Sequence, residues 1–245
     1  MVLTEYDRAR YNRQMLIGGW GEEGQTRLKA SRVFIAGAGG LGSPVSLYLA
    51  AAGVGEIGIC DADRVELSNL NRQILHTDAR IGELKAMSAA QTLQALNPEI
   101  TVIPHPDRLD EDSVEGVVGN PDIVVDCLDN YDTRYLLNTY CVRHGIPFVH
   151  GAISGMMGQV TFLLPPETPC LRCIVPEPPA EGVFPVLGVT PGLVGCIQAF
   201  EVVKYLTGIG TTLKGKLLLV DGSEMRFSSF TVERSPSCSV CGKRT

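Results

Sequence analysis

The chain has 245 residues, enough for one large α/β domain or a domain with a substantial appendage. An apolar share of 44% suits a packed core and excludes a disordered chain. A net charge of −6 argues against a general nucleic-acid or membrane surface. The opening residues carry no secretory signal, and no apolar run approaches the roughly 20 residues that span a bilayer, so a cytoplasmic location is expected.

Positions 1–31 are polar and arginine-rich, with Arg8, Arg10, Arg13 and Arg27. A short helix is expected over 22–30, giving an arm or helical hairpin whose arginines mostly face solvent. Positions 33–36 are an apolar strand that breaks into Gly37-Ala-Gly39-Gly40-Leu-Gly42 and continues as a helix. Strand, glycine turn and helix start are the context in which a G-x-G-x-x-G pattern cradles phosphate. Gly37 suits the tight turn, Gly39 the close approach of backbone amides, and Gly42 the packing of helix on strand. The helix start adds free N–H groups and a positive dipole end. The competing reading is a purely structural turn.

Gly53 closes the helix, and 56–60 is a second strand ending at Asp61. That spacing fits the ribose-binding carboxylate of dinucleotide folds, or an acidic turn residue. A polar stretch, Ser68-Asn69-Leu70-Asn71-Arg72, follows, and helical spacing runs over 82–96 with Lys85 in its first turn. Strands are expected at 100–103, 122–126 and 146–150, with helices at 110–118 and 133–144. Asp129 and Asn130 stand just beyond the fourth strand. The alternation predicts a doubly wound, mostly parallel α/β sheet of Rossmann type. It also brings the glycines, Asp61 and Asp129 to the carboxyl edge where such sheets bind ligands.

Beyond 150 the pattern changes. A strand at 158–164, a loop rich in proline and glycine at 175–192, a helix at 192–207 and a hairpin at 216–221 and 227–232 predict an antiparallel extension. Expected parts are an arm (1–31), a nucleotide-binding core (32–150) and a C-terminal part (151–245) packed as one domain with the core. Cys170-x-x-Cys173 and Cys238-x-x-Cys241 can close a four-thiolate structural zinc site. The plainer readings are disulfides or local redox pairs. Cys60, Cys127, Cys141 and Cys196 sit among apolar residues, as small core side chains do. His76, His105, His144 and His150 form no ligand or triad spacing and are read as structural or exposed.

The basic residues narrow the ligand. Arg72 and Lys85 suit the extra charge of a triphosphate, and Asp129 suits Mg²⁺. Each also has a plain reading: a surface ion pair for Arg72, a solvated helix residue for Lys85, a helix N-cap for Asp129. Taken together, Arg10-Tyr-Asn-Arg13-Gln, the glycine turn, Asp61-x-Asp63-x-Val65-x-x-Ser68-Asn-Leu-Asn-Arg72-Gln, Asp126-Cys-Leu-Asp129-Asn130 and the paired C-x-x-C resemble the ThiF/MoeB family over essentially the whole chain. These are sulfur-carrier adenylyltransferases related to ubiquitin-activating enzymes.

The resemblance implies ATP-dependent adenylation of the Gly-Gly terminus of a ubiquitin-like sulfur-carrier protein. It implies that Gly40 and Asp61 contact phosphate and ribose, that Ser68, Asn69, Leu70, Asn71 and Arg72 line the nucleotide, and that Lys85 holds phosphate. It implies Mg²⁺ on Asp129 and a homodimer in which Arg13 reaches the partner's site. Some members carry a sulfur-transferring cysteine in the crossover loop. Here positions 174–195 have none, and Phe184 stands near its place. Cys196 reads as part of a buried helix, and no room is seen after Cys241 for a rhodanese-like domain, so an external sulfur donor is expected. The crossover, 174–191, is either a linker or a strap over the carrier's tail. The alternatives are an NAD-dependent oxidoreductase, an inactive scaffold of the same family, or activation of a small molecule or RNA base.

Overall fold

The computed structural model describes residues 2–179, 182 and 185–242; Phe184 lies outside the described residues. The arm is a helical hairpin, α1 (Glu5–Met15) and α2 (Gly21–Ala30). Thr4 starts α1 through a capping box: its hydroxyl accepts the Asp7 N–H at 3.1 Å, and Asp7 accepts the Thr4 N–H at 2.7 Å. Asp7 is itself buried and pairs with Lys29 at 2.5 Å, which fastens α1 to α2.

The core alternates β1 (Arg32–Ala36), α3 (Gly42–Ala52), β2 (Glu56–Cys60), α4 (Lys85–Leu96), β3 (Thr101–His105), α5 (Val114–Val118), β4 (Ile123–Asp126), α6 (Tyr131–His144) and β5 (Phe148–Ser154). Then follow β6 (Met157–Leu163), α7 (Leu171–Ile174), α8 (Val189–Thr207), β7 (Lys216–Asp221) and β8 (Arg226–Thr231). All eight strands form one sheet in the order β3-β2-β1-β4-β5-β6-β7-β8. The first five are parallel; β5 to β8 pair antiparallel.

The central strands are apolar throughout because both faces are covered. Val33 and Ile35 of β1 point to a core shared with α3, α4 and α8, while Phe34 and Ala36 point to one shared with α5 and α6. From β1 the chain winds outward to β2 and β3, then returns to β4 on the other side. The crevice beyond the carboxyl ends of β1 and β4 is therefore the switch point at which doubly wound sheets bind ligands. Helix α8 lies across α3. A Cβ at Gly195 would sit 2.6 Å from Pro44 Cγ and 2.7 Å from the Leu41 carbonyl, so the absence of a side chain there sets the crossing.

Element types follow expectation; some limits do not. Helix α4 begins at Lys85, not 82, because Val65 and Gly82–Glu83 bond to each other through their backbones and Gly82 has a φ of +89°. Helix α5 keeps only Val114–Val118, since Asp110 and Ser113 spend their side chains on a turn. Strand β5 runs on past His150 to Ser154, because antiparallel pairing with β6 accepts Gly151 opposite Val160 and Ala152 opposite Gln159. Helix α8 starts at Val189. Cys60, Cys127 and Cys141 are buried as expected; Cys196 is only half-buried. Among the described residues no helix is long and apolar enough to cross a membrane.

Candidate active site

A cleft of about 1210 Å³ opens at the switch point and extends over β5 and β6. Its floor is the glycine turn. Gly37 takes a φ of +101°, and a Cβ there would meet the Cys127 carbonyl at 2.5 Å. A Cβ at Gly42 would lie 1.9 Å from the Gly37 carbonyl, so Gly42 closes the turn on itself. The turn is pinned at Ala38: its N–H donates to Asp61 at 2.9 Å, and its carbonyl faces His76 Nε2 at 2.9 Å. Among the described residues the N–H groups of Gly39, Gly40 and Leu41 have no acceptor within the chain. Three free donors at the start of α3 make an anion cradle.

Asp61 also accepts the Asp63 N–H at 2.9 Å, so both carboxylate oxygens orient backbone. Burial pushes its carboxyl above the usual range, opposed by the Lys85 ammonium. Lys85 is buried, not solvated, and donates to Asp63 at 2.9 Å. Its ammonium has two further protons for a ligand. Arg72 lines the same wall, donating to the Ser68 carbonyl at 2.9 Å and Asn71 Oδ1 at 3.0 Å. Ser68, Asn69, Leu70 and Asn71 do not line the cleft; Ser68 and Asn69 belong to a 3₁₀ turn (Leu67–Asn69), and Leu70 and Asn71 lead from it to Arg72.

On the opposite wall Asp129 is exposed at the end of β4. It does not cap α6; Asn130 does, accepting the Thr133 N–H at 3.0 Å. Among the described residues no hydrogen bond or ion pair engages the Asp129 carboxylate. Arg13 ends α1, exposed and outside the cleft lining. Residues that the sequence reading missed also line the cleft: Gln73, Arg108 and Gln159. Arg108 follows β3 and was open to the same strand-end rule as Asp61. Nothing in the spacing marks Gln159.

The histidines are structural at this site. His76 bridges Ala38 and Ser88, and burial lowers its pKa. His150 is fully buried and bonds Asp126 at 2.6 Å through Nδ1. Asp126 also accepts the Leu128 N–H at 3.1 Å and lies 3.4 Å from Arg134 Nε. Arg134 in turn donates to the carbonyls of Leu128 and Gly151. This buried network fixes the loop before Asp129.

The crossover returns to the cleft at Pro185, whose carbonyl accepts the Gly155 N–H at 2.7 Å, and Thr190 donates to the Gly155 carbonyl at 2.9 Å. Pro179, Gly182, Val186 and Pro191 then face the cavity.

The profile of the ThiF family matches residues 11–240. The chain belongs to the ThiF family. Over 98% of its length it is 49% identical to the SAMP-activating enzyme E1 of Haloferax volcanii, covering 90% of that protein. It is 46% identical to the sulfur carrier protein adenylyltransferase of Thermus thermophilus, covering 99% of this chain and 93% of that one. The crystal structure of E. coli MccB with ATP superposes with a TM-score of 0.85 at 26% identity, covering 98% of this chain and 77% of that one.

This ThiF-family chain has a second constellation away from the cleft. The Sγ atoms of Cys170, Cys173, Cys238 and Cys241 all lie within 4.8 Å of one another. Cys170 and Cys238 are 3.7 Å apart, and Cys173 and Cys241 are 3.4 Å apart. Two thiolates on one tetrahedral zinc are about 3.8 Å apart, whereas a disulfide needs about 2.05 Å. The four thiols are thus spaced as ligands that could share one metal ion, and not as two disulfides. Burial pushes the Cys170 thiol up; Cys238, also raised by burial, is brought down to about 7 by backbone N–H and thiol donors.

Proposed function

We propose that the chain uses ATP to adenylate the C-terminal Gly-Gly carboxylate of a ubiquitin-like sulfur-carrier protein. The observation that carries this reading is the two-ended cleft, with an anion cradle and cations at one end and strands covered by the crossover at the other. The glycine amides would hold the triphosphate, with Arg72, Lys85 and Arg108 around it and Asp61 toward the ribose. Asp129 would hold Mg²⁺, which neutralises phosphate oxygens when bound. The tail would lie over β5 and β6 under the crossover, its carboxylate oxygen attacking the α-phosphorus. A bond forms there, the bond to the β-phosphate oxygen breaks, and pyrophosphate leaves. The chain contributes position and charge, and forms no covalent bond to the carrier.

Three further assignments belong to the same reading. The Cys₄ cluster would hold zinc, as the thiol spacings favour. Arg13, exposed at the end of α1, would enter the site of a second copy in a homodimer. The crossover carries no cysteine, so the acyl-adenylate would pass to an external sulfur donor. Arg72, Lys85 and Arg108 around the cleft favour a triphosphate over a nicotinamide dinucleotide.

Carrier-dependent ATP–pyrophosphate exchange tests the reading. The native chain is expected to catalyse it with a Gly-Gly-ending carrier. Asp129→Ala is expected to lose it by about a hundred- to a thousandfold while melting like the native chain, the scale of losing a key transition-state contact. Normal exchange by that variant would refute the role of Asp129; absence of exchange by the native chain with every carrier would refute the function.

A further inference from the structure

The buried network beneath the cleft ends on a residue with no part in the scheme above. Gln159 sits on β6, opposite Ala152 of β5 and Leu219 of β7, and lines the cleft with both. Its Nε2 lies 3.1 Å from His150 Nε2. Two nitrogens at that distance bond only if one is a bare acceptor. His150 donates through Nδ1 to Asp126, so its Nε2 carries the lone pair and the Gln159 amide donates. Arg134 already balances the Asp126 charge, and a protonated His150 would bury an unmatched cation. Burial accordingly lowers the His150 pKa.

The consequence is an amide that cannot flip. With Nε2 committed to His150, Oε1 is the end of Gln159 left for the cleft, and among the described residues it has no donor. The antiparallel strands around it already pair through their backbones. An extended peptide crossing β5 and β6 therefore meets one fixed acceptor there. The cleft, at about 1210 Å³, exceeds the roughly 300–1,000 Å³ of small-molecule sites and has room for a chain beside a nucleotide.

We propose that Gln159 binds the carrier's C-terminal segment, its Oε1 accepting a backbone N–H of that segment, with His150 and Asp126 as positioning residues for the amide. The assignment rests on the carrier adenylation proposed above. It makes Gln159 specific for an extended peptide and leaves ATP binding independent of it.

The test uses pyrophosphate exchange with a Gly-Gly-ending carrier that supports turnover by the native chain. Gln159→Leu is expected to raise KM for the carrier about tenfold and to leave KM for ATP within about twofold, the scale of one hydrogen bond. Semisynthetic carriers in which single N–H groups of the last four residues are replaced by ester oxygen locate the donor. One ester is expected to weaken the native chain and to leave Gln159→Leu unaffected. Equal losses in both proteins, or an unchanged carrier KM in the variant, overturn the assignment. If the leucine variant does not fold, Gln159→Met, which keeps the side-chain length, replaces it. Should the native chain show no carrier-dependent exchange at all, the adenylation reading fails and the assignment with it.

Discussion

Asp129 and Asn130 are neighbours with separate work. Because Asn130 caps α6, the carboxylate beside it carries no structural duty. Asn130→Ala is expected to cost about 1 kcal/mol in urea unfolding, the usual value of an N-cap, whereas Asp129→Ala leaves stability unchanged. Asp126 is the opposite case. It is fully buried against Arg134 and His150. Asp126→Ala strands the Arg134 charge and is expected to cost roughly 3–5 kcal/mol. His76, His105 and His150 share a direction: burial holds each below its ordinary value. The unfolded chain takes up those protons near pH 6.5, while the folded chain resists until lower pH. The unfolded state thus binds more protons in between, and stability is expected to fall as pH drops from about 7 to 5. A pH series of urea midpoints checks this.

Residue types at strand ends were legible in the sequence. Asp61, Asp129 and the glycines stand at the carboxyl edge, where the alternation put them. The partners of buried polar groups were not. His150 reaches Asp126 across two parallel strands, and no local spacing records such a pair. Gln159 was missed for the same reason.

At the scale of elements, the glycine turn depends on the helix packed behind it. Gly195 brings α8 against Leu41 and the first turn of α3, directly after the residues that present the free amides. Gly195→Ala is expected to cost about 1–3 kcal/mol through overpacking, and to weaken ATP binding more than a substitution on the far end of α8. Calorimetric titration with ATP reads the second effect. The start of α4 was misread because Leu84 continued an apolar spacing while the backbone before it bonded elsewhere, and that of α5 because Asp110 and Ser113 bond each other in a turn just ahead of the helix. Apolar periodicity reports which face is buried; it does not report where the main-chain ladder starts.

For the whole molecule, strand type and the turn from parallel to antiparallel pairing could be read from the chain, while the spatial order of the strands followed from winding rules rather than from any residue. The cysteine pairs were legible because C-x-x-C is a local ligand geometry. Chelation of the purified protein is expected to lower its melting temperature and to make the crossover, 174–191, more sensitive to protease, with β1 to β4 little changed in hydrogen exchange. A crossover equally protected before and after chelation would speak against the cluster as its anchor.

The cluster also sets an order of events in time. Cys238 follows Cys173 by about 65 residues, and at about 5–20 residues per second a ribosome needs roughly 3–13 seconds to add them. For that interval β1 to β6 and the glycine turn exist without the thiols that complete the site. A nascent chain can therefore acquire its glycine turn before the four thiols meet. Pro185 and Thr190 can reach Gly155 early, but the last cysteine pair arrives only after β7 and β8, so the four-thiol cluster is a late product of synthesis, reached after the surfaces beside it are in place.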